Sequence, residues 1–128
     1  MEFSYKAVGT HLYPMMPLII RSGSSFIETH AILDTGSRFS LFQSHLARQL
    51  GLNYRAGKPM TVMGVGGKII VYVHDLSIAV GSQEFSCVIG FSDTFSGRVN
   101  LIGRTDFFDK FLITFDERHK KVILDKSL

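Results

Sequence analysis

With Cys87 as its one cysteine, the chain cannot close a disulfide within itself, and nothing in it signals an oxidising compartment. No second cysteine supports a zinc site. The five histidines, His11, His30, His45, His74 and His119, are scattered without metal-ligand spacing, so neither a metal nor a cofactor is expected. Cys87 lies within Phe85-Ser86-Cys87-Val88-Ile89, which predicts a small buried core residue rather than a nucleophile. Long apolar runs are missing too. No stretch approaches the ~20 residues of a membrane span, and the N-terminus lacks the basic-then-apolar pattern of a signal peptide. A soluble, cytoplasmic protein is the default expectation; a chain trimmed of a leader or anchor would read the same way. Charge of one sign is not clustered: Lys plus Arg exceed Asp plus Glu by only 14 to 11, spread along the chain, whereas a nucleic-acid binder would gather a basic face. There is no internal repeat, linker or low-complexity segment. A length of 128 residues with 45% hydrophobic and 20% charged residues then predicts one globular domain over 1–128.

What the chain has in abundance is strand signal. Phe3 to Val8, Leu12 to Arg21, Ser25 to Leu33, Ile69 to Val80 and Gln83 to Phe91 are rich in β-branched and aromatic residues, and several alternate apolar with polar. Glycine-bearing turns separate them, and short strands at this spacing predict a small barrel or sandwich. Two segments read as helix. Ser44 can cap a run carrying Leu46, Ala47 and Leu50, with Gly51 as its left-handed stop. A second helix is expected over roughly Arg104 to Lys110, with Phe107, Phe108 and Phe111 facing the core. Phe111 to Phe115 and Lys121 to Leu124 then pair as a hairpin.

The most informative segment is Ala31-Ile32-Leu33-Asp34-Thr35-Gly36-Ser37, in which an apolar strand delivers a carboxylate directly into a hydroxyl- and glycine-bearing turn. Asp-Thr-Gly is also ordinary turn chemistry, so the tetrad alone is ambiguous. Two further segments bear on it. Val99-Asn100-Leu101-Ile102-Gly103-Arg104 is an apolar-apolar-glycine element. Thr61 to Ile70, with Met63, Gly64, Val65, Gly66 and Gly67 at its centre, reads as a glycine-rich hairpin; it lacks the spacing and following helix of a phosphate cradle.

Taken in order, these motifs resemble the retropepsin-like, single-domain branch of the aspartic proteases: the signature at Asp34, a helix, a flap, the apolar-Gly element and a short helix. The resemblance runs from about Phe26 to Asp125. It implies an all-β, small closed barrel of the acid-protease type with one or two short helices, acting on peptide or protein substrates. Such chemistry needs two carboxylates close enough to share a proton, since like charges ~3 Å apart cannot both ionise. With one Asp-Thr-Gly in the chain, Asp34 would have to meet its own copy across a two-fold axis, and the active species would be a homodimer. The resemblance further implies that Thr35 hydrogen-bonds across that axis, that Gly36 completes the loop and that Ser37 donates to the outer oxygen of Asp34. Met63 to Gly67 would lie over the substrate, and Leu101, Ile102, Gly103 and Arg104 would pack beside the loop. The chain departs from retroviral members at Arg38, where they carry the acid that pairs with the arginine after the apolar-Gly element. Asp106 or Asp109 would be the local partners of Arg104, or solvate the short helix. Two other readings stay open: a catalytically weak, dimeric peptide-binding module of the same fold, and a small-molecule-binding β-barrel in which Asp34 is a turn acid.

Overall fold

Alternation of apolar and polar residues sets the strands. In β4 (Met15–Ser22), Met16, Leu18 and Ile20 are buried while Pro17 is exposed, the two-residue period of a sheet with one face inward. The computed structural model describes residues 1–64, 67–95, 97 and 99–127. Ahead of β4 come three short strands, β1 (Glu2–Ser4), β2 (Lys6–Val8) and β3 (His11–Tyr13). After it come β5 (Ser25–Leu33), β6 (Ser40–Gln43), helix α1 (Ser44–Gln49) and a 3-10 turn at Tyr54–Ala56. The chain continues through β7 (Lys58–Gly64), β8 (Gly67–Val80), β9 (Gln83–Ser92), β10 (Asn100–Ile102), β11 (Phe111–Asp116) and β12 (Lys121–Lys126). No helix among the described residues is long and apolar enough to cross a membrane.

The main sheet has the order β4-β5-β10-β6-β9-β8-β7, and β4 pairs again with β8. Strand pairing therefore passes through β4, β5, β10, β6, β9 and β8 and returns to β4. The length of β8 makes this possible. Its first half pairs with β7, Lys58 opposite Val73 through Gly64 opposite Gly67, while its second half pairs with β9 and, at Ser77 to Ala79, with β4. A second sheet, β1-β12-β11, carries the chain ends, and β2 and β3 form a small hairpin.

One core serves both larger sheets. Phe42, Phe91 and Phe107 are fully buried together with Met16, Ile20, Ile78, Ile89, Ile102 and Leu124. Phe107 makes the joint between sheets, its ring centroid 5.7 Å from Phe85 on β9 and 5.2 Å from Phe111 on β11. Each such side chain contributes about 1.5–3 kcal/mol by leaving water. Cys87 is fully buried in this core. Burial, reinforced by the negative charge of Asp106, pushes its thiol up to about 12, which makes it inert as a nucleophile at neutral pH.

Several local expectations require correction. Residues Arg104 to Lys110 form a run of turns, because Asp106 takes a left-handed conformation (φ 66°) that no helix accommodates. Its carboxylate accepts from the Val88 N–H at 3.0 Å, which fixes that conformation. Ser44 is the first helical residue of α1, not its cap; Gln43 occupies the cap position without a side-chain hydrogen bond. Gly51 does end the helix region at φ 70°. The first expected strand divides at buried Tyr5, whose N–H turns to the Lys120 carbonyl at 2.8 Å, and the second at Pro14.

The short strand β10 depends on Asn100. Its side chain is 4% exposed; its Oδ1 accepts from the Gln43 N–H at 2.9 Å, and its Nδ2 donates to Thr29 Oγ1 at 3.1 Å and to the His30 carbonyl at 3.0 Å. Asn100→Leu leaves these part-buried groups unpaired. Denaturant unfolding at fixed protein concentration should report a loss of about 3 kcal/mol; a loss below about 1 kcal/mol would mean that water replaces the amide.

Candidate active site

Asp34 is the first residue past β5, and its backbone is held from two sides. The Asp34 N–H donates to the Ile102 carbonyl at 2.9 Å, and one residue earlier the Leu33 N–H donates to the Pro14 carbonyl at 2.9 Å. The turn then closes on itself. The Ser37 N–H donates to the Asp34 carbonyl at 3.2 Å, and the Gly36 N–H donates to Asp34 Oδ1 at 2.9 Å. Asp34 is half-buried as a residue, whereas Thr35 and Gly36 are exposed. Ser37 departs from expectation: its hydroxyl donates to the Phe39 carbonyl at 2.6 Å. A hydroxyl carries one proton, so in this conformation the donor to Asp34 is the Gly36 amide and Ser37 instead braces the loop.

The apolar-Gly element lies against this turn. Asn100, Leu101 and Ile102 pair in parallel with Ala31, Ile32 and Leu33, and Leu101 pairs antiparallel with Leu41 of β6. The row continues past the strand: the Gly103 N–H donates to the Ser40 hydroxyl at 3.1 Å, that of Arg104 to the Ser37 carbonyl at 2.9 Å and that of Thr105 to the Arg38 carbonyl at 2.9 Å. Gly103 is required by close approach. A Cβ there would sit 2.3 Å from the Phe39 carbonyl oxygen and 2.4 Å from its carbon.

Beside the loop a cleft of about 300 Å³ opens between Gly36 to Leu41 and residues Met60 to Met63 of β7, with Val71, Val73 and Gly90 as its floor and Arg104 at its edge. The β7–β8 hairpin supplies part of its lining. Met63 is 70% exposed and Ile70 55%, so this hairpin presents large apolar side chains at the surface. Gly64 and Gly67 pair at its end, Gly67 at φ 104°; Val65 and Gly66, the other two expected flap residues, lie outside the described residues. The base of the hairpin is held firmly. Tyr54 donates its hydroxyl to Asp93, Arg55 forks onto the same carboxylate at 3.0 and 3.1 Å, and His74 Nε2 meets the Tyr54 carbonyl at 2.7 Å. The Arg55 and Tyr54 hydrogen bonds hold the Asp93 carboxyl below its ordinary range.

Asp106 and Asp109 are not partners of Arg104. Asp106 serves the Val88 amide, and Asp109 meets Lys110 Nζ at 3.1 Å. Among the described residues neither Arg38 nor Arg104 forms an ion pair. The residues that sequence reasoning missed are Asn100, Ser40 and the Tyr54–Asp93 pair. For Asn100 a signal existed, an amide set inside an apolar run next to the glycine. For Tyr54 and Asp93, separated along the chain, there was none.

The sequence profile of the aspartyl protease family matches residues 20–104, from β4 through Asp34 and the hairpin to Arg104. No curated protein sequence matches the chain. Among solved structures, the fold is similar to that of the EIAV protease complexed with the inhibitor HBY-793, with a TM-score of 0.57, 19% identity, and coverage of 72% of this chain and 82% of that one.

Gly103→Ala forces the Phe39 backbone to move. The expected cost is about 1–3 kcal/mol, read as a lower denaturant midpoint at unchanged slope. An unchanged midpoint would mean that the Asp34 loop yields freely to the added methyl.

Proposed function

The chain belongs to the aspartyl protease family, and from that premise we propose that it is an aspartic endopeptidase whose dyad forms when the Asp34 carboxylates of two copies meet across a two-fold axis. The observation that carries this reading is the setting of Asp34: a half-buried residue on a doubly anchored turn, followed by exposed Thr35 and Gly36, beside a cleft that begins at Gly36. Thr35 and Gly36 are where a second copy would pack. In that pair one carboxylate, ionised, takes a proton from a shared water, and the other, protonated, donates to the scissile carbonyl. The Gly36 amide orients one oxygen of each carboxylate. Six strands paired in a circuit form the small closed barrel on which the loop is mounted, and the apolar hairpin acts as the flap. Its base is pinned by Tyr54, Arg55 and His74, so that opening is confined to the end carrying Met63 and Gly67.

Two substitutions test the reading. Asp34→Asn is nearly isosteric but cannot act as a general base, so hydrolysis of a peptide library should vanish while circular dichroism and sedimentation stay unchanged. Activity near that of the unsubstituted chain would make Asp34 a turn residue. Gly67→Val strains a position at φ 104° and should lower kcat/KM more than it lowers the melting temperature. Cleavage that is untouched by this change would remove the hairpin from the mechanism.

A further inference from the structure

We propose that the cleft beside Asp34 is a carboxylate-reading subsite, in which Arg38 and Arg104 select peptides that carry an acidic group within a few residues of the scissile bond; this rests on reading Asp34 as the catalytic carboxylate. Both arginines are exposed and both line the cleft, whose other lining residues are glycine, serine, threonine and apolar residues without an Asp or Glu among them. Their placement is a consequence of the fold. The Arg104 N–H bonds to the Ser37 carbonyl and the Thr105 N–H to the Arg38 carbonyl, so the two backbones run side by side where the cleft meets the catalytic turn.

Among the described residues no carboxylate forms an ion pair with either. The acids nearest in sequence to Arg104 are engaged elsewhere, Asp106 with the Val88 amide and Asp109 with Lys110. The Asp34 carboxylate takes the Gly36 amide and, among the described residues, no arginine. Two like-charged guanidinium groups in a concave, partly apolar site raise the local positive potential and so favour an anionic ligand. The geometry suits a carboxylate in particular. Arg38 lies with its guanidinium 5.0 Å from the centroid of the Phe39 ring, a contact that orients the plane and leaves its edge donors free. A guanidinium edge matches a carboxylate with two parallel hydrogen bonds, which a lysine could not do. Where an acid at position 38 would have neutralised Arg104 internally, this chain presents two positive charges to the substrate.

The carboxylate can come from a Glu side chain or from a peptide C-terminus. The test uses fluorescein-labelled peptides with Glu or Gln at each position around an apolar pair, each made as C-terminal acid and as amide. Binding to the full chain carrying Asp34→Asn is followed by anisotropy, and cleavage of the same peptides by the unsubstituted chain is followed separately. A Glu peptide should bind about tenfold more tightly than its Gln counterpart, and the contrast should shrink as salt is raised. Arg38→Gln or Arg104→Gln, both at exposed positions, should reduce the contrast several-fold, and Arg38→Glu should reverse it. A contrast confined to acid against amide assigns the site to a chain terminus and supports the proposal equally. Equal binding of all four forms, or a contrast that survives both arginine substitutions, overturns it. A charge preference in binding without cleavage of any peptide would overturn the protease reading while leaving the carboxylate site supported.

Discussion

Everything functional in this fold depends on one three-residue strand. β10 is wedged between β5 and β6, parallel to one and antiparallel to the other, and its Ile102 carbonyl takes the Asp34 amide. A parallel and an antiparallel neighbour together satisfy both edges of so short a segment, which could not persist as a strand alone. Asn100 supplies the side-chain bonds that hold its start, and Gly103 lets its end pass within contact of Phe39. Asp34 at the end of β5 is thereby placed by backbone hydrogen bonds rather than left on a free loop.

Around that fixed point the chain distributes stiffness unevenly. The hairpin is clamped at its base, where Tyr54 and Arg55 share Asp93 and His74 reaches back to the Tyr54 carbonyl, and carries exposed Met63 and Ile70 toward its other end. In the core the Phe85, Phe107 and Phe111 rings couple the two sheets, with Phe107 fully buried. The cleft that the hairpin helps to line brings apolar side chains and two arginines together. In general, apolar lining supplies affinity without much discrimination, and charged groups discriminate.

The sequence disclosed the elements whose signals are local. Ser25 to Leu33, Gln83 to Phe91 and the Phe111–Leu124 hairpin alternate or run apolar over enough residues for their strand character to be plain, and Asp34, Gly103 and the hairpin were placed by motif. What escaped was set by contacts distant in sequence. The four residues of β6 are too few to carry a period, and they are a strand because β9 and β10 flank them. Residues Arg104 to Lys110 have helical spacing of aromatics, but the Val88 amide captures the Asp106 side chain and the turn wins. The Ser37 hydroxyl had two acceptors within reach of a loop whose path the sequence does not specify, and the Phe39 carbonyl takes it.

The central claim is that one chain holds half of an active site. It is tested most directly by titrating inactive Asp34→Asn chain into a fixed amount of the unsubstituted chain, allowing subunits to exchange, and measuring peptide hydrolysis. If two Asp34 carboxylates act together, random pairing leaves only unsubstituted pairs active, so activity should fall to about half at equal amounts and continue toward zero with excess. Activity that stays constant across the titration would mean that a single Asp34 suffices, and would contradict the account.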